Sequence, residues 1–260
     1  MLGFRKCPIA SILISVMLRE ISSAVEHLVY TEIVTSSILV SPMKFFNNKD
    51  FEYNESWAIT KTPWKDSEIL FIDNIYKRPE RVYDYLNSIQ GIRTNKSVKD
   101  SLNGIDFMDG QILFDSRWDL HREYLLKGIA NNYNVEVDLQ NLFHVVNQFR
   151  LLKDIPEEGY HWHPHCDGQL NFIIFLNPDH NMKSGTSLYT PLNTKAKTFY
   201  LKKDTEHNNP WKTSDQFREE LCILDKFNCG VVFPGKWFHG QTIVDNFFKT
   251  TTRFTEVIFL

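Results

Sequence analysis

The sequence predicts a mainly β protein with flanking helices, closing into a sandwich or barrel such as a jelly roll. Three observations carry this. Beyond residue 140, short apolar and aromatic runs are separated by turn residues: Pro178-Asp179, Lys183-Ser184-Gly185, Asn208-Asn209-Pro210, Pro234-Gly235 and Asp245-Asn246. Helical spacing is confined to two segments before that point. The chain is also rich in aromatic residues, with 20 Phe, 10 Tyr and 6 Trp, and these suit strands better than helices.

The elements follow in chain order. Residues 43–66 are polar and aromatic without a clear period and read as an extended lead-in. Residues 68–72 (EILFI) form a short apolar strand that ends at the turn signal Asp73-Asn74. Pro79 then opens PERVYDYLNSI, where Val82, Tyr85, Leu86 and Ile89 recur at helical spacing. Gln90-Gly91 closes that helix, and weak strand character covers 92–115. Residues 118–132 read as a second amphipathic helix with Leu120, Tyr124, Leu125 and Ile129 on one face. Strands are expected near 143–152, 159–165, 170–176, 185–190, 196–202, 220–226, 229–233, 237–244 and 250–260. The domain is expected to span 43–260, with 68–135 supplying a leading strand and supporting helices and 140–260 the jelly-roll core.

The first 42 residues are expected to stand outside this domain. PIASILISVML imitates the apolar part of a signal peptide but is too short to span a bilayer as a helix. Residues 22–27 can be encoded by a string resembling the D-arm of a tRNA gene, and residues 35–40 by one resembling the T-arm. The expectation is therefore a reading frame extended upstream, with the start at Met43. Cys7, Cys166, Cys222 and Cys229 form no C-x-x-C pair, which fits reduced thiols in a cytoplasmic protein. A net charge of -3 gives no electrostatic reason to expect nucleic acid or an anionic membrane as partner.

The densest chemical signal is YHWHPHCDG, residues 160–168. His165 and Asp167, two residues apart at the end of a strand, supply an imidazole and a carboxylate that can converge on one ion. Two imidazoles and a carboxylate on one face, with positions left open, is the ligand set of non-haem iron(II) oxygenases. The second imidazole must come from a distant strand. His239 qualifies, 72 residues after Asp167, where FPGKWFHGQTIV reads as a tight turn entering a strand. Near the C-terminal end, RFTEV alternates as a strand should, so Arg253 and Thr255 share a face opposite Phe254 and Glu256. An arginine in so apolar a strand needs an anionic partner, and its fork with a hydroxyl two residues on suits a carboxylate.

Taken together, these residues resemble the iron(II)/2-oxoglutarate dioxygenases, in particular the prolyl-4-hydroxylase-like branch of small bacterial and phage members. The resemblance covers roughly residues 68–260. It rests on FIDNIYKRPERVYDYL, His165-Cys166-Asp167, Phe175-Leu176-Asn177, Ser184-Gly185-Thr186, Phe233-Pro234-Gly235 before His239, and Arg253-Phe254-Thr255. It implies a double-stranded β-helix (jelly roll) and iron(II) held by His165, Asp167 and His239. With 2-oxoglutarate and O2, such a site couples oxidative decarboxylation to succinate with hydroxylation of a C–H bond. A small molecule or peptide, such as a peptidyl or free amino acid, is the implied substrate. Two departures stand out. Ser184 replaces the first glycine of Gly-Gly-Thr, and Arg253 lies 14 residues after His239, while Lys249 occupies the closer spacing usual in the family. Arg253 is the expected anchor of the 2-oxoglutarate 5-carboxylate, because lysine lacks the planar fork.

Gln148 and Tyr189 lie on strands that lead to the site and are candidates to hold 2-oxoglutarate or substrate. Cys166 is expected to point away from the metal. A zinc-hydrolase reading fails on order, since His-x-His-x-Asp-His is not met, and a cupin reading fails on Gln169, where a glutamate is expected. The rival from another class is a non-catalytic jelly-roll protein that binds a metal or small molecule.

Overall fold

A computed structural model describes residues 48–89, 107–113, 120–139, 142–151, 160–162, 164–178, 184–192, 211–243 and 246–260. The chain divides between Phe46 and Asn47. The leader with its expected upstream origin lies outside the described residues, as does the strand expected at 196–202. No helix among the described residues is long and apolar enough to cross a membrane.

The described elements are β1 (Ala58–Trp64), β2 (Ser67–Asp73), α1 (Pro79–Ile89), β3 (Phe107–Leu113), α2 (Leu120–Tyr133), β4 (Phe143–Leu151), β5 (Tyr160–Trp162) and β6 (Leu170–Phe175). They continue with β7 (Gly185–Pro191), β8 (Trp211–Thr213), β9 (Phe217–Leu224), β10 (Cys229–Pro234), β11 (Phe238–Thr242) and β12 (Arg253–Phe259). The fold is mostly antiparallel β with two helices. A seven-stranded sheet runs β1-β2-β10-β6-β12-β4-β3, a three-stranded sheet β11-β7-β9, and β5 pairs with β8. The core lies between the two larger sheets. Ile69, Ile173, Phe175, Val231, Phe233 and Val257 come from the large sheet and Leu188 and Ile223 from the smaller one, with Trp237 between them.

Several sequence expectations need correction. The lead-in contains β1, an edge strand exposed along nearly its whole length, so neither face carries the apolar alternation that marks a half-buried strand. It holds Pro63, a residue that sheets accept at an edge, and turns into β2 through Lys65, whose φ is 49°. The second helix is rotated from its expected phase. Leu120 and Tyr124 are exposed, at 75% and 71%, and the buried face is Arg122, Leu125, Leu126, Ile129 and Ala130.

Arg122 explains that rotation. It turns onto the outer face of β12, where Glu256 is fully buried. Tyr53 and Tyr76 donate to the same carboxylate and His144 lies against it. A buried charge is tolerated only when paired and hydrogen-bonded, and Glu256 meets that condition through four other segments of the chain. On the same face, Tyr83 of α1 packs edge-on against Phe254, ring centres 6.0 Å apart. The helices thus cover the Phe254–Glu256 face of β12 and leave the Arg253–Thr255 face to the interior between the sheets.

Candidate metal centre

β5 ends at Trp162, and buried Pro164 carries the chain out of the strand. The backbone of His165 then exchanges both hydrogen bonds with that of His239, at 2.9 and 2.8 Å. Two residues on, Asp167 N–H donates to the Gly235 carbonyl at 2.9 Å, and Gly235 N–H donates to the Gln169 carbonyl at 2.8 Å. The segment bearing His-x-Asp is thereby stitched to the turn before β11. Gly235 is required there, since a Cβ would run into the Gly168 carbonyl oxygen. Trp237 closes the turn onto Pro234 at 3.1 Å, and its indole donates to Asp66 at 3.1 Å.

Among the described residues, His165, Asp167 and His239 form a group of potential ligands, with their donor atoms within 4.8 Å of one another. Asp167 Oδ2 lies 3.3 Å from His165 Nε2 and 3.1 Å from His239 Nε2. The two imidazole centres are 4.4 Å apart. His239 is buried, while His165 and Asp167 are partly open, so the cluster has one closed side and one accessible side.

His239 Nδ1 donates to the Trp237 carbonyl at 2.9 Å, which fixes the tautomer with its lone pair on Nε2. Burial pushes the His239 imidazole below its ordinary value, and His165 beside it adds to that. Burial alone would raise the Asp167 carboxyl, but the His165 imidazole beside it outweighs this and holds it well below the carboxylate range. Nε2 is thus an acceptor, with the Asn171 amide nitrogen 3.0 Å and Asp167 Oδ2 3.1 Å away. Two metal bonds of about 2.1 Å at a right angle put their donor atoms about 3.0 Å apart. The observed separations fit a metal held between these atoms, and the two-imidazole, one-carboxylate set is that of iron(II) oxygenases.

Asn171, which the sequence did not single out, completes the wall. It is fully buried, its Nδ2 lies 3.0 Å from His239 Nε2, and its Oδ1 has no hydrogen-bond partner among the described residues. Its place one register step into β6, opposite Pro234-Phe233 of β10, is the signal that could have marked it.

The residues expected around a co-substrate fall into two groups. Arg253 and Thr255 are buried on the interior face of β12, as alternation requires. Asn177 sets the start of that strand: it accepts from Phe254 N–H at 2.7 Å and donates to Thr252 at 2.8 Å. The 3-10 turn Asn246–Lys249 supplies the extra residues between His239 and Arg253, and the Lys249 carbonyl accepts from Arg150. The guanidinium of Arg253 is paired within the chain. Nε and Nη2 donate to Asp225 at 3.1 and 3.0 Å, and Nη2 also donates to the Gly185 carbonyl at 2.9 Å.

Tyr189 is not brought to the His165–Asp167–His239 cluster. Tyr189 pairs with Phe238, on the face of β7 opposite to Leu188 and His239, and packs against His161 at 4.9 Å and Phe217 at 6.4 Å. Gln148 pairs with Phe254, which puts the position on the helix-covered side; its side chain lies outside the described residues, as does His163. Cys166 donates its thiol to the Lys236 carbonyl at 3.3 Å. Burial, with Asp167 beside it, pushes that thiol up to about 11.

No family model matches the chain, and no curated protein matches it. Solved structures with a similar chain course include a prolyl-4-hydroxylase of Pseudomonas putida, with 10% identity, a TM-score of 0.33, and coverage of 69% of this chain and 83% of that one. A second is the Fe(II)/(alpha)ketoglutarate-dependent dioxygenase TqaL, with 14% identity, a TM-score of 0.28, and coverage of 68% and 73%. A third is an N-substituted L-amino acid dioxygenase of Burkholderia ambifaria AMMD, with 12% identity, a TM-score of 0.30, and coverage of 73% and 80%. At these scores the function has to be argued from the site itself.

Proposed function

We propose that this chain is an iron(II)- and 2-oxoglutarate-dependent dioxygenase on a double-stranded β-helix, hydroxylating a C–H bond of a small molecule or peptide. The observation that supports it is the convergence of His165 Nε2, Asp167 Oδ2 and His239 Nε2, with the His239 lone pair turned toward an anionic oxygen. A cation can be held among these three atoms, and a three-ligand set leaves room for further ligands. Iron(II) loaded with 2-oxoglutarate and O2 supplies oxidative decarboxylation to succinate coupled to C–H hydroxylation.

The protein's part is positional. Trp237 fixes the His239 tautomer, the paired backbones of His165 and His239 hold the imidazoles in register, and the Asp167 carboxylate fills the position that a halogenase leaves for a halide. Arg253, with Thr255 on the same face, receives the distal carboxylate of 2-oxoglutarate. The fork fits such a group, since it already grips a carboxylate, that of Asp225. A peptidyl or free amino acid is the substrate class in keeping with the prolyl-hydroxylase-like motifs.

Anaerobic titration with iron(II) and then 2-oxoglutarate tests this reading. The expected result is a visible charge-transfer band that needs both additions, followed by succinate formation on admitting O2. A chain that binds iron(II) but neither develops the band nor forms succinate is a non-catalytic metal-binding protein.

A further inference from the structure

Arg253 lies in a carboxylate subsite built entirely from this chain. Its guanidinium grips Asp225 through two roughly parallel bonds of 3.1 and 3.0 Å. Ser184 Oγ adds a hydroxyl donor to the same carboxylate at 2.8 Å. A fork and a hydroxyl around one carboxylate is the arrangement expected for the distal end of 2-oxoglutarate, and here Asp225 occupies it. Nη2 spends both of its hydrogens, one on Asp225 and one on the Gly185 carbonyl at 2.9 Å. Neither edge of the guanidinium can then offer two parallel bonds to a second carboxylate while these contacts stand. A second carboxylate would also meet the charge of the first.

We propose that Asp225 is a resident carboxylate on Arg253, so that 2-oxoglutarate binds by exchange, with Asp225 leaving as the co-substrate's 5-carboxylate arrives. The inference rests on the functional reading above and adds the residue that sets co-substrate affinity. Its geometry permits the exchange. The Arg253 side chain is 4% exposed and stays in the interior, while Asp225 is 10% exposed and sits just past the end of β9, beside exposed Lys226. Rotation of Asp225 carries its charge toward water, and Arg253 keeps an anionic partner throughout, as a buried guanidinium requires.

The test uses the full chain loaded with manganese(II), which binds without turnover, and follows ligand binding by calorimetry. Asp225→Asn keeps the shape and removes the charge. It should bind 2-oxoglutarate at least about tenfold more tightly than the wild type, the scale of one charge-assisted contact. 2-Oxobutyrate, which has the same metal-binding end and no distal carboxylate, should bind both proteins alike. Ser184→Ala loosens Asp225 without touching its charge and should shift 2-oxoglutarate affinity in the same direction by a smaller factor. An affinity for 2-oxoglutarate that is unchanged or weaker in both variants, with manganese(II) binding retained, makes Asp225 a fixed structural partner and overturns the exchange. A wild-type chain that takes up no manganese(II) overturns the metal reading, and the exchange with it.

Discussion

His165 and His239 are joined backbone to backbone by two hydrogen bonds, 2.9 and 2.8 Å long, so their imidazoles leave neighbouring backbone segments from one hydrogen-bonded pair. Their ring centres are 4.4 Å apart before any ligand is added. The ligand set is therefore held by main chain, and side-chain substitutions there should spare the fold.

The first prediction follows directly. His165→Ala, Asp167→Ala and His239→Ala should each lower iron(II) affinity by more than the roughly 10- to 100-fold that losing an outer partner of a ligand costs. The metal-free melting temperature should move little. Anaerobic calorimetry checks the first point and thermal denaturation the second; a variant with wild-type affinity is not a ligand.

Gly235→Ala should act differently. Its Cβ collides with the backbone carbonyl of Gly168, so the turn and the His-x-Asp segment must separate. A loss of about 1–3 kcal/mol is expected from overpacking of this kind, together with weaker metal binding, since Asp167 hangs from the Gly235 carbonyl. Urea denaturation and metal titration of the same variant read both.

Acid stability should be governed by Glu256. Burial would raise its carboxyl, but His144 and Arg122 beside it, with Tyr76 donating, bring it down to about 2 from an ordinary 4.5. A depressed carboxylate contributes stability that is fully present above pH 4.5 and is lost as pH falls toward 2. The contribution is of order 3 kcal/mol by linkage. The urea midpoint should fall across that window in the wild type and be flatter in Glu256→Gln. Arg122→Met, which strips one partner from a buried charge, should cost about 3–5 kcal/mol near neutral pH.

Arg253→Lys should keep metal affinity and weaken 2-oxoglutarate by tens-fold, since an ammonium cannot make two parallel bonds. Lys249→Ala should change 2-oxoglutarate affinity by less than about twofold, because the residue sits in a turn whose carbonyl, not its ammonium, makes the contact to Arg150. The reverse ranking would move the co-substrate anchor to Lys249.

The candidate metal cluster is readable because its signals are local: His-x-Asp beside a proline, and a Phe-Pro-Gly turn ahead of a histidine. Partnerships between distant residues are not. Nothing near Arg253 names Asp225, 28 residues earlier, as its carboxylate. Glu256 draws its donors from as far as Tyr53, 203 residues away. The phase of α2 is hidden for the same reason. Counting Arg122 as polar moves the buried stripe onto Leu120 and Tyr124, and only its partner on β12 shows that an arginine belongs inside. Strand membership alone brings Tyr189 toward the site, and its partner Phe238 puts it on the other face.

β12 has β6 on one side and β4 on the other, so the segment nearest the C-terminal end runs through the middle of the seven-stranded sheet. Among the described strands, β12 is the one that pairs both with β6, in the β1-β2-β10-β6 half of the sheet, and with β4, in the half it shares with β3. The interior face that carries Arg253 therefore lies at the seam between those halves. Pairing between segments this far apart in sequence closes long loops, so the face that bears Arg253 and Thr255 forms only as the two halves of the sheet come together on β12.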